Sequence, residues 1–227
     1  MYISVIIPAY NEEESIARVI DSLLNQTRVP DEILIINNNS IDKTKEIALS
    51  YQSKGVRMIN EHEQGLAVAR DRGFREAKGD IICRTDADSI IPSNWISAIG
   101  LFFANNPQTI ALSGPISYIE PPLKYLGALP SLVYEWVVSH KLKHPVFIGP
   151  NMALRKGVFN KIKPCSHRLD IHEDIDLSQH LALIGDIRFV SGVHITTSGR
   201  RIINNPGDFA IRYSKMLHNN LLHKPTN

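Results

Sequence analysis

The sequence predicts an α/β domain built on a mostly parallel sheet flanked by helices. Three observations carry this: four apolar runs each end in a polar loop, a stretch of helical period separates each run from the next, and the connections are short. Strand and helix alternating in this way means parallel strands joined by right-handed crossovers, with helices on both faces. In an open sheet of that kind ligands gather beyond the carboxyl ends of the strands.

Ile3 to Ile7 is a β-branched run cut off by Pro8, the pattern of a fully buried strand. Tyr10 or Asn11 can cap a helix with Glu12, Glu13 and Glu14 in its first turn, where acids complement the dipole. Ile16, Val19, Ile20, Leu23 and Leu24 mark its core face. A second strand, Glu32 to Ile36, ends in Asn37-Asn38-Asn39-Ser40, and a helix over 42–53, a strand over 56–59 and a helix over 64–78 follow. Gly79 resets the chain for a strand that runs to Asp86. A helix at 95–105 and a strand at 109–113 lead into a loop marked by Pro115, Pro121 and Pro122. From Leu123 to Lys143 an apolar stripe of helical spacing is interrupted by Pro130. It reads either as a kinked helix packed in the core or as an interfacial helix, with Lys141 and Lys143 suited to a membrane surface. Val146 to Ile148 reads as a strand. The acid-rich run Asp170 to Asp176 precedes a helix starting near Glu173, with Leu177, Leu181 and Ile184 inward. The segments 187–190 and 193–196 and a basic amphipathic helix from Asp208 close the chain.

Composition excludes several classes. A net charge of +2 is too small for nucleic acid as the main partner. The Gly-x-Gly-x-x-Gly fingerprint and the Gly-Lys-Ser/Thr phosphate loop are absent, which argues against dinucleotide and P-loop enzymes. The first residues read as a strand and not a signal peptide, and no run approaches the ~20 apolar residues of a membrane span. The expected location is the cytoplasm, either free or peripheral on the inner face of the membrane. Cys83 and Cys165 lack metal-ligand spacing and read as inert thiols of a reducing compartment.

The chemistry concentrates at Asp86-Ala87-Asp88. They close the apolar strand that starts at Gly79, and side chains alternate along a strand, so Asp86 and Asp88 point to one side and make a hard, oxygen-rich corner. Such a corner suits Mg2+ or Mn2+, with the remaining ligands supplied by a substrate diphosphate; Asp is also an ordinary strand-end residue. Asp174, in the first turn of its helix, is either a simple dipole partner or a carboxylate held still for proton abstraction. Arg200 and Arg201 are either a solvated pair or a phosphate grip.

Val5 to Glu12, Asn37 to Thr44, Gly65 to Gly73, Asp86-Ala87-Asp88, Gly149 to Arg155 and Glu173-Asp174, taken in order, resemble family 2 glycosyltransferases of the GT-A fold. The resemblance implies an inverting enzyme that moves a sugar from a nucleotide-diphosphate sugar, such as a UDP- or GDP-sugar, to a hydroxyl of a glycan or lipid-linked acceptor. It implies a donor half over 1–113 and an acceptor half over 114–227. Pro8, Ala9, Tyr10 and Glu12 would pack on base and ribose, Asn38 would contact the base, and Asp86 and Ala87 would lie by the ribose. Asp88, with Asp86, would hold Mg2+ or Mn2+, and Asp174 would be the general base. Gly149, Asn151, Glu173, Arg200 and Arg201 are expected on the acceptor or phosphate side. Three departures stand out: Asn37-Asn38 replaces the usual acids, Asp71 replaces an Asn, and Thr197 stands where some members carry a histidine ligand, with His194 nearby. A non-catalytic nucleotide-sugar-binding protein and a nucleotidyltransferase are the competing readings.

Overall fold

The computed structural model describes residues 1–165 and 171–225; Asp170, part of the acid-rich run, lies outside the described residues. The strands are β1 (Ile3–Ala9), β2 (Glu32–Asn37), β3 (Val56–Asn60), β4 (Ile81–Arg84), β5 (Thr109–Ser113), β6 (Ile116–Tyr118), β7 (Met152–Arg155), β8 (Asp186–Phe189) and β9 (Ile195–Thr197). The helices are α1 (Ile16–Leu24), α2 (Thr44–Ser50), α3 (Leu66–Glu76), α4 (Trp95–Asn105), α5 (Leu129–Leu142), α6 (Lys156–Phe159), α7 (Glu173–Ala182), α8 (Arg200–Asn204) and α9 (Pro206–Leu222).

Seven strands form one sheet in the order β3-β2-β1-β4-β7-β5-β8. Pairing is parallel except at β7, which runs antiparallel to both β4 and β5. Both faces are covered, which is why β1 is apolar at nearly every position: Ile3, Val5 and Ile7 join the layer of α1 and α4, and Ile6 joins the layer of α3 and α7. Gly73 lets α3 lie directly on β1, since a Cβ there would meet Ile6 Cδ1 at 2.8 Å. β6 and β9 form a small parallel pair beside the main sheet.

The structure corrects the expected elements in several places. Val146 to Ile148 is not a strand: Val146 and Phe147 are buried, but only one isolated bridge, Ile148 to Asn151, forms there, and the ladder is made by Met152–Arg155. Burial, and not pairing, selects the β-branched residues of that segment. β4 stops at Arg84, so the alternation rule does not orient Asp86 and Asp88, which lie in the turn beyond the strand. α1 begins at Ile16 and has no acid in its first turn, so Glu12 to Glu14 stand in the preceding loop. Pro130 sits in the first turn of α5, where its missing N–H costs nothing, and Leu123–Leu126 is a separate 3-10 turn. The stripe on α5 is not packed in the core. Trp136 is 66% exposed, and Leu129, Leu132, Val133 and Val137 are exposed with it, while Val138 is buried.

Candidate active site

β1, β2 and β4 end on the same edge of the sheet and deliver Pro8 to Glu12, Asn38 and the 86–88 turn to one cleft of about 970 Å³. Gly149, the N-terminus of α7 and Arg201 of α8 close its other side. Of the residues singled out from sequence, Pro8, Ala9, Tyr10, Glu12, Asn38, Asp86, Ala87, Asp88, Gly149, Glu173, Asp174 and Arg201 all line this cleft.

Arg84, the last residue of β4, joins its two acidic sides. The guanidinium is buried; its Nη1 donates to Asp174 Oδ1 at 2.7 Å and its Nη2 to Asp86 Oδ1 at 3.0 Å. Burial works against its charge, but Asp174 and Asp86 overcome that and raise its pKa. Arg70 Nη1 lies 3.7 Å from the same Asp174 oxygen and donates to the Glu173 carbonyl, so α3 braces the start of α7. Asp71, the departure on α3, is the buried partner of Arg70 at 2.8 Å. Gly149 leaves the space that the Asp174 carboxylate occupies: a Cβ there would collide with Asp174 Oδ2 and meet both Arg84 terminal nitrogens at 3.2 Å.

Around Asp88 the charge is crowded. Burial, then the neighbouring Asp86 and Glu12, push its pKa up to about 6, while Arg200 and a hydrogen bond from Thr197 oppose the rise. Thr197 Oγ1 donates to Asp88 Oδ1 at 3.1 Å, which puts it beside the acid. His194 instead bonds Ser117 Oγ at 2.8 Å. Three carboxylates on one cleft, one of them raised by burial and then by the other two, fit a hard divalent cation: an ion there offsets both the burial of charge and the repulsion between the acids.

Two expected residues are placed differently. Asn151 does not reach the cleft. It is fully buried, donates to the carbonyls of Pro115 and Val193, and accepts from Trp95 Nε1, so it clamps the β6 and β9 connections to the sheet. Arg200 pairs with Glu12 and lies 3.5 Å from Asp88, so it balances the acids at the rim, whereas Arg201 lines the cleft itself. Asn38 reaches the cleft, but its amide nitrogen donates to the carbonyls of Glu61 and Glu63 and its Oδ1 accepts from Gly65 N at 2.8 Å, so it also builds the wall of the 61–65 loop.

Sequence reasoning missed Arg84 and the aromatic wall of Tyr118, Tyr134, Phe209 and Tyr213. A charged residue closing an apolar strand signals a buried partner, so Arg84 was findable. The aromatics come from β6, α5 and α9 and converge only in the fold. Phe209 and Tyr213 stack at 4.0 Å, and Tyr134 Oη makes no hydrogen bond among the described residues. Burial raises the pKa of both tyrosines, Tyr134 and Tyr213, so they stay neutral donors.

A model of glycosyl transferase family 2 matches residues 4–163. Glycosyltransferase AglE of Haloferax volcanii is 33% identical over 194 residues, covering 83% of this chain and 60% of that protein. The S. aureus TarS fragment 1-349, solved in complex with UDP-GlcNAc, superposes with a TM-score of 0.71 at 20% identity, covering 88% of this chain and 59% of that one. The mannosyltransferase PcManGT of Pyrobaculum calidifontis, solved with GDP-Man and Mn2+, gives a TM-score of 0.66 at 20% identity, covering 95% of this chain and 68% of that one. These structures share the GT-A fold. The chain spans about half the length of the relatives it matches.

Proposed function

The chain belongs to glycosyl transferase family 2, and from that premise we propose that its cleft transfers a sugar, with inversion, from a nucleoside diphosphate sugar to an acceptor hydroxyl. One observation carries the reading: Arg84 ties Asp86 of the 86–88 turn to Asp174 of α7, so the two acidic walls face one space. The nucleoside lies along Pro8 to Glu12 and Asn38, with its diphosphate toward Asp88. Asp88, with Asp86 and Glu12, would hold Mg2+ or Mn2+, which when bound supplies charge for the departing diphosphate.

Asp174 Oδ1 is anchored by Arg84, leaving Oδ2 to accept the proton of the acceptor hydroxyl. The acceptor oxygen forms its bond to the anomeric carbon as the carbon–phosphate-oxygen bond breaks on the opposite face, and the electron pair leaves with the diphosphate. A single displacement of this kind inverts the carbon and needs no protein nucleophile. The aromatic wall excludes water and offers Tyr134 Oη, a donor without a partner among the described residues, to a polar acceptor group. The exposed apolar face of α5, with Lys141 and Lys143 at its end, supports peripheral contact with an anionic membrane that carries a lipid-linked acceptor. No helix among the described residues is long and apolar enough to cross a membrane.

The test is a screen of UDP- and GDP-sugars with Mn2+, reading donor binding by calorimetry and nucleoside diphosphate release by turnover. Asp174→Asn is expected to bind donor and lose turnover, and Asp88→Ala to lose Mn2+-dependent donor binding. Full turnover by either variant refutes the proposal. Donor binding by the wild type without turnover on any acceptor favours a non-catalytic binder, and diphosphate release from a nucleoside triphosphate favours a nucleotidyltransferase.

A further inference from the structure

Away from the cleft, four side chains from three separate segments meet: Cys165, Asp176 and His180 of α7, and His223 just past α9. None of them lines the cleft. The spacing along the chain hides the group, and only Asp176 and His180, four apart on one helical face, are neighbours in sequence. We propose that these four side chains bind a zinc ion that fastens the end of α9 to α7.

The geometry is that of a small coordination shell. One ligand atom from each residue lies within 4.8 Å of all the others. Cys165 Sγ is 3.6 Å from His223 Nε2, Asp176 Oδ1 is 3.2 Å from His223 Nε2, and Asp176 Oδ1 is 3.6 Å from His180 Nε2. Ligands bound to zinc at about 2.0–2.3 Å in a tetrahedron stand roughly 3.3–3.8 Å apart, so these edges need little adjustment. The Asp176–His223 separation lies at the long limit of a direct imidazole–carboxylate hydrogen bond and the Asp176–His180 separation lies beyond it. Among the described residues Asp176 Oδ1 accepts no hydrogen bond, although two imidazole nitrogens are close to it. Its other oxygen is taken: Cys165 N donates to Asp176 Oδ2 at 2.7 Å, which aims Oδ1 at the group, as outer hydrogen bonds aim metal ligands.

The donor set selects the metal. A thiolate and two imidazoles favour a borderline-soft ion over Mg2+, Ca2+ or Mn2+, and four protein ligands make a closed, structural site. Asp176 and His180 are 1% exposed and His223 14%, so the ion is shielded from solvent. The consequence reaches the cleft through α9. That helix is mostly exposed and buries Met216 and Asn220; Asn220 Oδ1 accepts from His172 N at 2.7 Å, and its amide nitrogen reaches the His172 carbonyl at 3.3 Å. Phe209 and Tyr213 of the same helix form part of the aromatic wall. A metal at the far end of α9 therefore fixes the position of that wall relative to Asp174.

The experiment uses tag-free protein, because a polyhistidine tag would bind the same ion. Purified without chelator, the protein is expected to carry one zinc per chain by mass spectrometry of the metal. Exchange into Co2+ is expected to give a thiolate-to-cobalt charge-transfer band and the intense visible bands of tetrahedral cobalt. Cys165→Ser loses the charge-transfer band and His223→Gln weakens zinc retention at least tenfold, while Asp88→Asn keeps both signals. Zinc in roughly hundredfold excess over its Kd raises Tm by about 5 °C or more. Should Cys165→Ser fail to fold, the wild-type cobalt spectrum and His223→Gln decide. Folded wild type that takes up neither stoichiometric zinc nor cobalt overturns the proposal, as does cobalt bound without a thiolate band or lost in Asp88→Asn.

Discussion

Replacing Gly149 by alanine should cost turnover far more than donor binding. The added Cβ would stand against Asp174 Oδ2 and both terminal nitrogens of Arg84, in a spot where neither group can swing clear, because Arg84 is held at 2.7 Å to Asp174 and 3.0 Å to Asp86. Relieving the overlap requires the carboxylate to move by about 0.5–1 Å from ordinary contact distances. A displacement of roughly 1 Å at a group that must meet a reacting atom costs up to about 10²-fold in rate. The overpacking itself costs about 1–3 kcal/mol, which for a chain of this size lowers Tm by roughly 3–8 °C. Donor affinity should change less than about threefold, since the nucleoside side of the cleft is untouched. The assay is nucleoside diphosphate release under saturating donor, with calorimetry for binding and circular dichroism for folding. A folded Gly149→Ala enzyme with kcat within about threefold of wild type would mean that the position of Asp174 does not limit the reaction.

Other consequences follow from the same site. Arg84→Met keeps the bulk but strands two carboxylates, one of them nearly buried, and should destabilise the fold by about 3–5 kcal/mol, read as a Tm loss of roughly 10 °C; a loss under about 2 °C would contradict the buried pairing. Because Asp88 has a pKa of about 6, proton and metal compete for it: the carboxylate is free above that pH and protonated below it, so Mn2+ affinity should fall up to about tenfold per unit as pH drops below 6. A flat calorimetric profile between pH 7 and 5 would assign the metal to other groups. Trp136→Asp, on the exposed face of α5, should cut sedimentation with anionic vesicles by about tenfold at low salt. Wild type that fails to sediment at all would remove the membrane contact from the account.

The first half of the chain was readable because most of its strands are buried on both faces and so announce themselves as apolar runs, with short connections that leave one handedness of crossover. The 86–88 acids, Asp174 and the first loop were readable from residue type and order, and the cleft does bring them together. The reason given for the first pair was wrong: a turn and not strand alternation sets Asp86 and Asp88 on the cleft. The second half was harder. β7 enters the sheet antiparallel, and Val146-Phe147-Ile148, richer in β-branched and aromatic residues than Met152 to Arg155, draws the strand assignment although it makes only one isolated bridge. The α5 stripe has helical period whether it faces core or solvent, so only the fold shows that it is exposed. Cys165 read as inert because its neighbours lie 11, 15 and 58 residues away, a separation that no local pattern encodes.

The anomalous scattering of manganese in crystals grown with Mn2+ and a nucleoside diphosphate addresses the whole account. The expected map shows a peak within coordination distance of Asp88, with the diphosphate on its far side and the Asp174 carboxylate facing the same space. A nucleotide bound elsewhere, or manganese on a surface that Asp174 does not share, would leave the proposed transfer without a site.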